Sequence, residues 1–126
     1  MSYLGSSTAM TTSRTTSLTS STDVVVGAGY YNYGDYASWY AWTTCTKKVS
    51  NTSCDRHDII INTKNPHSNY RSVMCHEIGH SIGMGHAPAK NSYFTVASGR
   101  RSCMRGSPDV VSYSAGDRYR INALYG

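Results

Sequence analysis

The stretch His76-Glu77-Ile78-Gly79-His80-Ser81-Ile82-Gly83-Met84-Gly85-His86 limits what this chain can become more than any other. Residues four apart on a helix share a face, so His76 and His80 can offer two imidazole nitrogens to one ion. Glu77 stands about 100° further round the helix, bordering that ion without having to bind it. Gly83 can leave the helix with positive φ at little steric cost and turn the chain back. The turn brings His86 in as a third ligand and leaves a fourth tetrahedral position for water. Three histidines, an open position and an adjacent carboxylate are the parts of a catalytic zinc ion with its general base. A structural zinc ion would fill all four positions with protein. Five fixed letters at this spacing arise by chance on the order of once in ten thousand chains of this length, or less.

A length of 126 residues predicts a single domain, 1–126, with a modest core. The net charge of +5 comes from scattered basic residues with no nucleic-acid module, so nucleic acid is excluded as a partner. No apolar run is long enough to span a membrane. Four cysteines, an even number, predict two disulfides and a secreted, extracellular protein. They allow three pairings. Met1-Ser2-Tyr3-Leu4-Gly5 has neither the basic start nor the apolar core of a signal peptide, so an export signal is expected outside this chain.

Residues 1–22 are a Ser/Thr-rich lead-in, either part strand or flexible. Asp23-Val24-Val25-Val26 reads as a buried strand, and Gly34-Asp35 as a turn. Ser38 to Cys45 reads as a second strand carrying aromatics on both faces. Thr46 to Asp55 reads as a polar loop, and pairing Cys45 with Cys54 would close it for about 2–3 kcal/mol. Asn51-Thr52-Ser53 matches a glycosylation acceptor. Asp58-Ile59-Ile60-Ile61-Asn62 is apolar enough for a strand buried on both faces. Ser68 or Asn69 then caps a helix running to about Ile82. Gly79, inside that helix, marks something packed closely against it. A last helix, Ser114 to Tyr125, carries an apolar stripe of Ile121, Leu124 and Tyr125. His57 and His67 read as surface residues or supports of the site.

The eleven-residue site resembles that of the metzincin clan of zinc endopeptidases, and Ser102-Cys103-Met104-Arg105 resembles the clan's methionine turn, with Met104 beneath the metal. Tyr113 to Gly126 is similar to the final helix of matrixin-like members, and Cys75-His76-Glu77 with Asn32-Tyr33-Gly34-Asp35 to small secreted bacterial ones. The resemblance covers roughly residues 23–126.

It implies an α+β, zincin-like fold. A small twisted mixed sheet and the active-site helix form an upper lobe (23–86), and the Met-turn with the C-terminal helix an irregular lower lobe (87–126). Val24–Val26 becomes an inner strand and Ile59–Ile61 the strand before the active-site helix. Trp39, Tyr40, Ala41, Trp42 and Thr43 become the edge strand that holds extended substrate. The clan's long first helix and first strands have no counterpart in residues 1–22, which implies N-terminal truncation. A Cys75–Cys103 bridge would tie the Met-turn to the ligand helix, beside Cys45–Cys54. The function implied is hydrolysis of peptide bonds by a monomer holding one Zn²⁺ on His76, His80 and His86. A zinc-activated water attacks the peptide bond, and Glu77 takes and returns the proton. The alternative is a catalytically weak or truncated zinc- or peptide-binding domain of the same fold.

Overall fold

β-Branched and aromatic runs build the upper half of the molecule. The structure, a computed structural model, describes residues 2–85, 102–105 and 110–126. Strands β1 (Val24–Gly29), β2 (Ala41–Lys48) and β3 (Cys54–Asn62) form a sheet in the order β1-β3-β2. β1 runs parallel to β3 with Val26 opposite Ile59, and β2 runs antiparallel with Thr43 opposite Ile59. This is a small mixed α+β architecture, as expected.

Several expectations need correction. Val24–Val26 forms an edge of the described sheet, not an inner strand, and Val26 is 52% exposed. Of the three isoleucines in β3 only Ile59 is fully buried, because an open edge and one helix cannot cover both faces. The expected loop from Thr46 to Asp55 is shorter. β2 continues to Lys48 and β3 starts at Cys54, with the turn closed by the Val49 and Ser50 amides donating to the Ser53 carbonyl. The lead-in opens with a short helix, α1 (Ser2–Ser7), and contains no strand. It is tied down at two places. The Ala9 amide donates to Asn122 Oδ1 at 2.7 Å, and the Arg56 guanidinium donates to the Thr19 and Thr22 carbonyls.

Asn62, at the end of β3, organises the loop that leads into β2. Its side chain is fully buried, so each polar atom needs a partner. Nδ2 donates to the carbonyls of Tyr31 (3.0 Å) and Tyr36 (2.8 Å), and Oδ1 accepts from the Tyr31 and Lys64 amides. Asn65 Nδ2 adds bonds to the Ala37 and Trp39 carbonyls. Between these clamps a 3-10 turn, Gly34–Ser38, begins at Gly34 with φ of +53°. Trp42, Tyr31 and Tyr36 stack on the same side, with centroids 4.6–4.8 Å from the Trp42 ring.

α2 (Tyr70–Ser81) starts at Asn69, whose side chain accepts from the Ser72 amide. It ends in a Schellman turn: the Met84 amide reaches the Gly79 carbonyl and the Gly83 amide the His80 carbonyl, with Gly83 at φ +91°. Below it lie a 3-10 turn, Cys103–Arg105, and α3 (Ala115–Tyr125). The main core gathers Cys75, Ile82, Met84, Cys103, Met104, Val110, Tyr113 and Ile121. Ile121 is buried as the stripe predicts, but Leu124 is 67% exposed and Tyr125 half exposed. Tyr125 instead donates its hydroxyl to the Ile82 carbonyl, at 3.0 Å.

Candidate metal centre

Two of the three expected ligands come together on one face of α2. His76 Nε2 and His80 Nε2 are 3.0 Å apart, with ring planes at 88°. Their orientation is set from behind. His76 Nδ1 lies 2.8 Å from the Cys103 carbonyl and His80 Nδ1 2.7 Å from the Met84 carbonyl. A carbonyl can only accept, so each Nδ1 carries a hydrogen, and Nε2 is the ring nitrogen that each histidine turns toward the other. With both rings neutral, two Nε2 lone pairs in that position would be satisfied by a cation shared between them. A tetrahedral zinc ion with Zn–N of about 2.0–2.1 Å separates its ligand nitrogens by about 3.3 Å, close to what is seen here. Backbone carbonyls on the far ring nitrogen are the usual supports of metal-binding imidazoles. The donor set therefore fits zinc as far as it is described.

His86 lies outside the described residues. Among the described residues no group of three or more His, Cys, Asp or Glu side chains gathers to hold a metal.

The Cys103–Arg105 turn packs against α2 at Gly79. Met104 is 1% exposed, and its thioether packs on the backbone of Gly79, where any Cβ would overlap the sulfur. That contact accounts for a glycine in mid-helix. Cys75 is joined to Cys103 (Cα–Cα 5.9 Å), next to the carbonyl that orients His76, and Cys45 is joined to Cys54 across the hairpin. Tyr113 donates its hydroxyl to the Cys75 carbonyl at 2.8 Å.

Beneath this turn lies a polar knot that the sequence reading did not include. Asp117, 5% exposed, accepts at Oδ2 from the Ser114 amide, the Ser114 hydroxyl and the Ser102 hydroxyl. Ser102 Oγ in turn accepts from the Met104 amide at 3.1 Å. The Ser114-x-x-Asp117 spacing is that of a capping box and would have flagged the local half of the knot.

Glu77 is buried at the edge of a cleft of about 700 Å³. His76 and Glu77 line it together with Trp39, Tyr40, Ala41, Pro66 and His67. The expected substrate strand is thereby divided. Only Ala41, Trp42 and Thr43 belong to β2, since the clamped 3-10 turn holds Trp39 and Tyr40 ahead of it. Residues alternate sides along a strand, so Ala41 and Thr43 face α2 while Trp42 packs with Tyr31 and Tyr36 on the opposite face. Tyr40 still contributes its carbonyl, which accepts from the Asn62 amide at 2.8 Å. His67 is no surface bystander. It lies edge-on to Tyr40 at 4.6 Å, and its Nδ1 accepts from the Asn69 amide.

The matrixin family model matches residues 24–126. The chain belongs to the matrixin family. Matrixins are zinc-dependent peptidases, so the family supplies the class of chemistry and a protein substrate. Comparison with curated proteins and with solved structures finds no match. No described helix of this matrixin is long and apolar enough to cross a membrane.

Proposed function

We propose that this matrixin is a secreted zinc endopeptidase, acting as a monomer of one domain (lead-in 1–22, upper lobe 23–86, lower lobe 87–126). The observation that carries the reading is the pair of opposed Nε2 atoms of His76 and His80 beside the buried carboxylate of Glu77. His76, His80 and His86 would hold one zinc ion, with Gly83 making the turn toward His86 and Met104 forming the floor. When bound, zinc supplies a Lewis acid that acidifies water and polarises a carbonyl. Glu77 takes the attacking water's proton and returns it to the leaving amine. Ala41 and the free edge of β2 pair with an extended substrate backbone across the cleft. Two disulfides and the extracellular habit of the family support secretion.

Chelation should remove one zinc ion per chain and abolish cleavage of an unfolded protein, and added zinc should restore it. His76→Ala and His80→Ala should each lose the metal. Cleavage that persists in the metal-free chain would refute the reading. Stoichiometric zinc without any cleavage would favour the catalytically weak zinc-binding domain instead.

A further inference from the structure

Glu77 is gripped from the sheet by a residue 34 positions earlier in the chain. Thr43 Oγ1 lies 2.6 Å from Glu77 Oε2 and 3.0 Å from the Glu77 carbonyl oxygen. A hydroxyl has one hydrogen to give, and the shorter contact directs it to the carboxylate. We infer that Thr43 is the positioning residue of Glu77, locking Oε2 so that Oε1 is the oxygen that handles the proton. This rests on the endopeptidase reading above.

Among the described residues no hydrogen bond is made to Oε1, whereas Oε2 takes the short one. A glutamate has three side-chain torsions, and each turnover would otherwise have to reorder them over the metal. Thr43 sits in the middle of β2, opposite the fully buried Ile59, so the anchor itself is rigid. The main-chain oxygen of Glu77 lies 3.0 Å from the hydroxyl, so strand and helix meet at the point where the carboxylate leaves the backbone. A site group kept in its working orientation before substrate arrives has no reorganisation left to do in the transition state.

The test compares the zinc-loaded wild type with Thr43→Val, Thr43→Ser, Glu77→Gln and the double variant Thr43→Val/Glu77→Gln on one peptide substrate. Thr43→Val should lower kcat by about 10–100-fold, the usual loss when a residue's orienting partner is removed. KM should stay within about twofold, because the bond acts in the transition state rather than on substrate binding. Thr43→Ser, which keeps the hydroxyl, should remain within about threefold of wild type, as a conservative rescue requires. In the Glu77→Gln background Thr43→Val should change kcat by less than about twofold. Zinc affinity, measured against a chromophoric chelator, should be unchanged within about threefold in every variant. If Thr43→Val fails to fold, Thr43→Ala takes its place in the same cycle. Multiplying effects, equal losses in Thr43→Val and Thr43→Ser, or loss of zinc along with activity would overturn the role. Glu77-dependent cleavage indifferent to Thr43 would overturn this role alone. A wild type that binds zinc and cleaves nothing would remove the endopeptidase reading, and this role with it.

Discussion

The Met104 thioether fills the space into which a Cβ on Gly79 would project. One contact thus couples the Cys103–Arg105 turn to α2 one residue before His80. Gly79→Ala sets two effects against each other. Helix propensity favours alanine by about 1 kcal/mol, while overpacking a buried contact costs about 1–3 kcal/mol. Met104 is enclosed, and Tyr113 crowds the same point, so packing should win. Urea unfolding should show a net loss of about 1–2 kcal/mol, with weaker zinc binding; a stabilised Gly79→Ala protein would show the contact to be loose.

Asp117 should matter for stability although it is remote from the cleft. It accepts three hydrogen bonds in the interior, one of them from the hydroxyl that also holds the Met104 amide. Asp117→Asn keeps the shape but turns an amide donor or a weaker acceptor toward those groups. Chemical denaturation should register a loss of about 2–3 kcal/mol, the cost of a buried donor left without its partner. Ser102→Ala should lose less, and combined with Asp117→Asn should add little, since the two share a bond.

The two disulfides should be distinguishable by function. Cys75–Cys103 spans 28 residues and lies against the His76 support, whereas Cys45–Cys54 spans 9 and staples a hairpin. Loop-closure entropy assigns them about 3–4 and about 2–3 kcal/mol respectively. Cys45→Ala/Cys54→Ala should therefore lower stability and leave zinc affinity intact. Cys75→Ala/Cys103→Ala should lower both, as read by unfolding and by metal titration. Singly, Cys103→Ser should expose one new thiol at Cys75 in the oxidised protein.

What could be read from the sequence is local or carried by spacing. The helix start at Ser68 or Asn69, the turn at Gly83, the shared face of His76 and His80 and the demand for a close neighbour at Gly79 all follow from residues within one or two turns. What escaped it is mostly non-local. Thr43 on Glu77 joins positions 34 apart, and Ser102 on Asp117 joins positions 15 apart with no periodic signal between them. Whether Val26 is covered depends on the order of strands, which its own β-branched run does not encode. Trp39 and Tyr40 have strand-forming side chains. They are held out of β2 by amide clamps from Asn62 and Asn65, so tertiary bonds override the propensity.

Lys47 and Asp55 form an ion pair at 2.5 Å on the hairpin surface. The Lys47 hydrogen bond, and then its charge, hold the Asp55 carboxyl below its ordinary value of 3.8. A carboxyl lowered in the folded state adds stability above its unfolded value and loses it as pH falls through the folded one. The pair is exposed, so its share is small and screened by salt. Lys47→Ala should return the Asp55 titration, followed by carboxyl NMR, to the ordinary range while the thermal midpoint scarcely moves.

The central claim is that a zinc ion on His76, His80 and His86 works with Glu77 on peptide bonds. Its most direct test is kcat/KM on an unfolded protein substrate for wild type and Glu77→Gln, each brought to one zinc per chain. Equal zinc content is expected, with a loss of about 10²–10⁴-fold in Glu77→Gln, the range of a general base removed. Equal cleavage by the two proteins would contradict it.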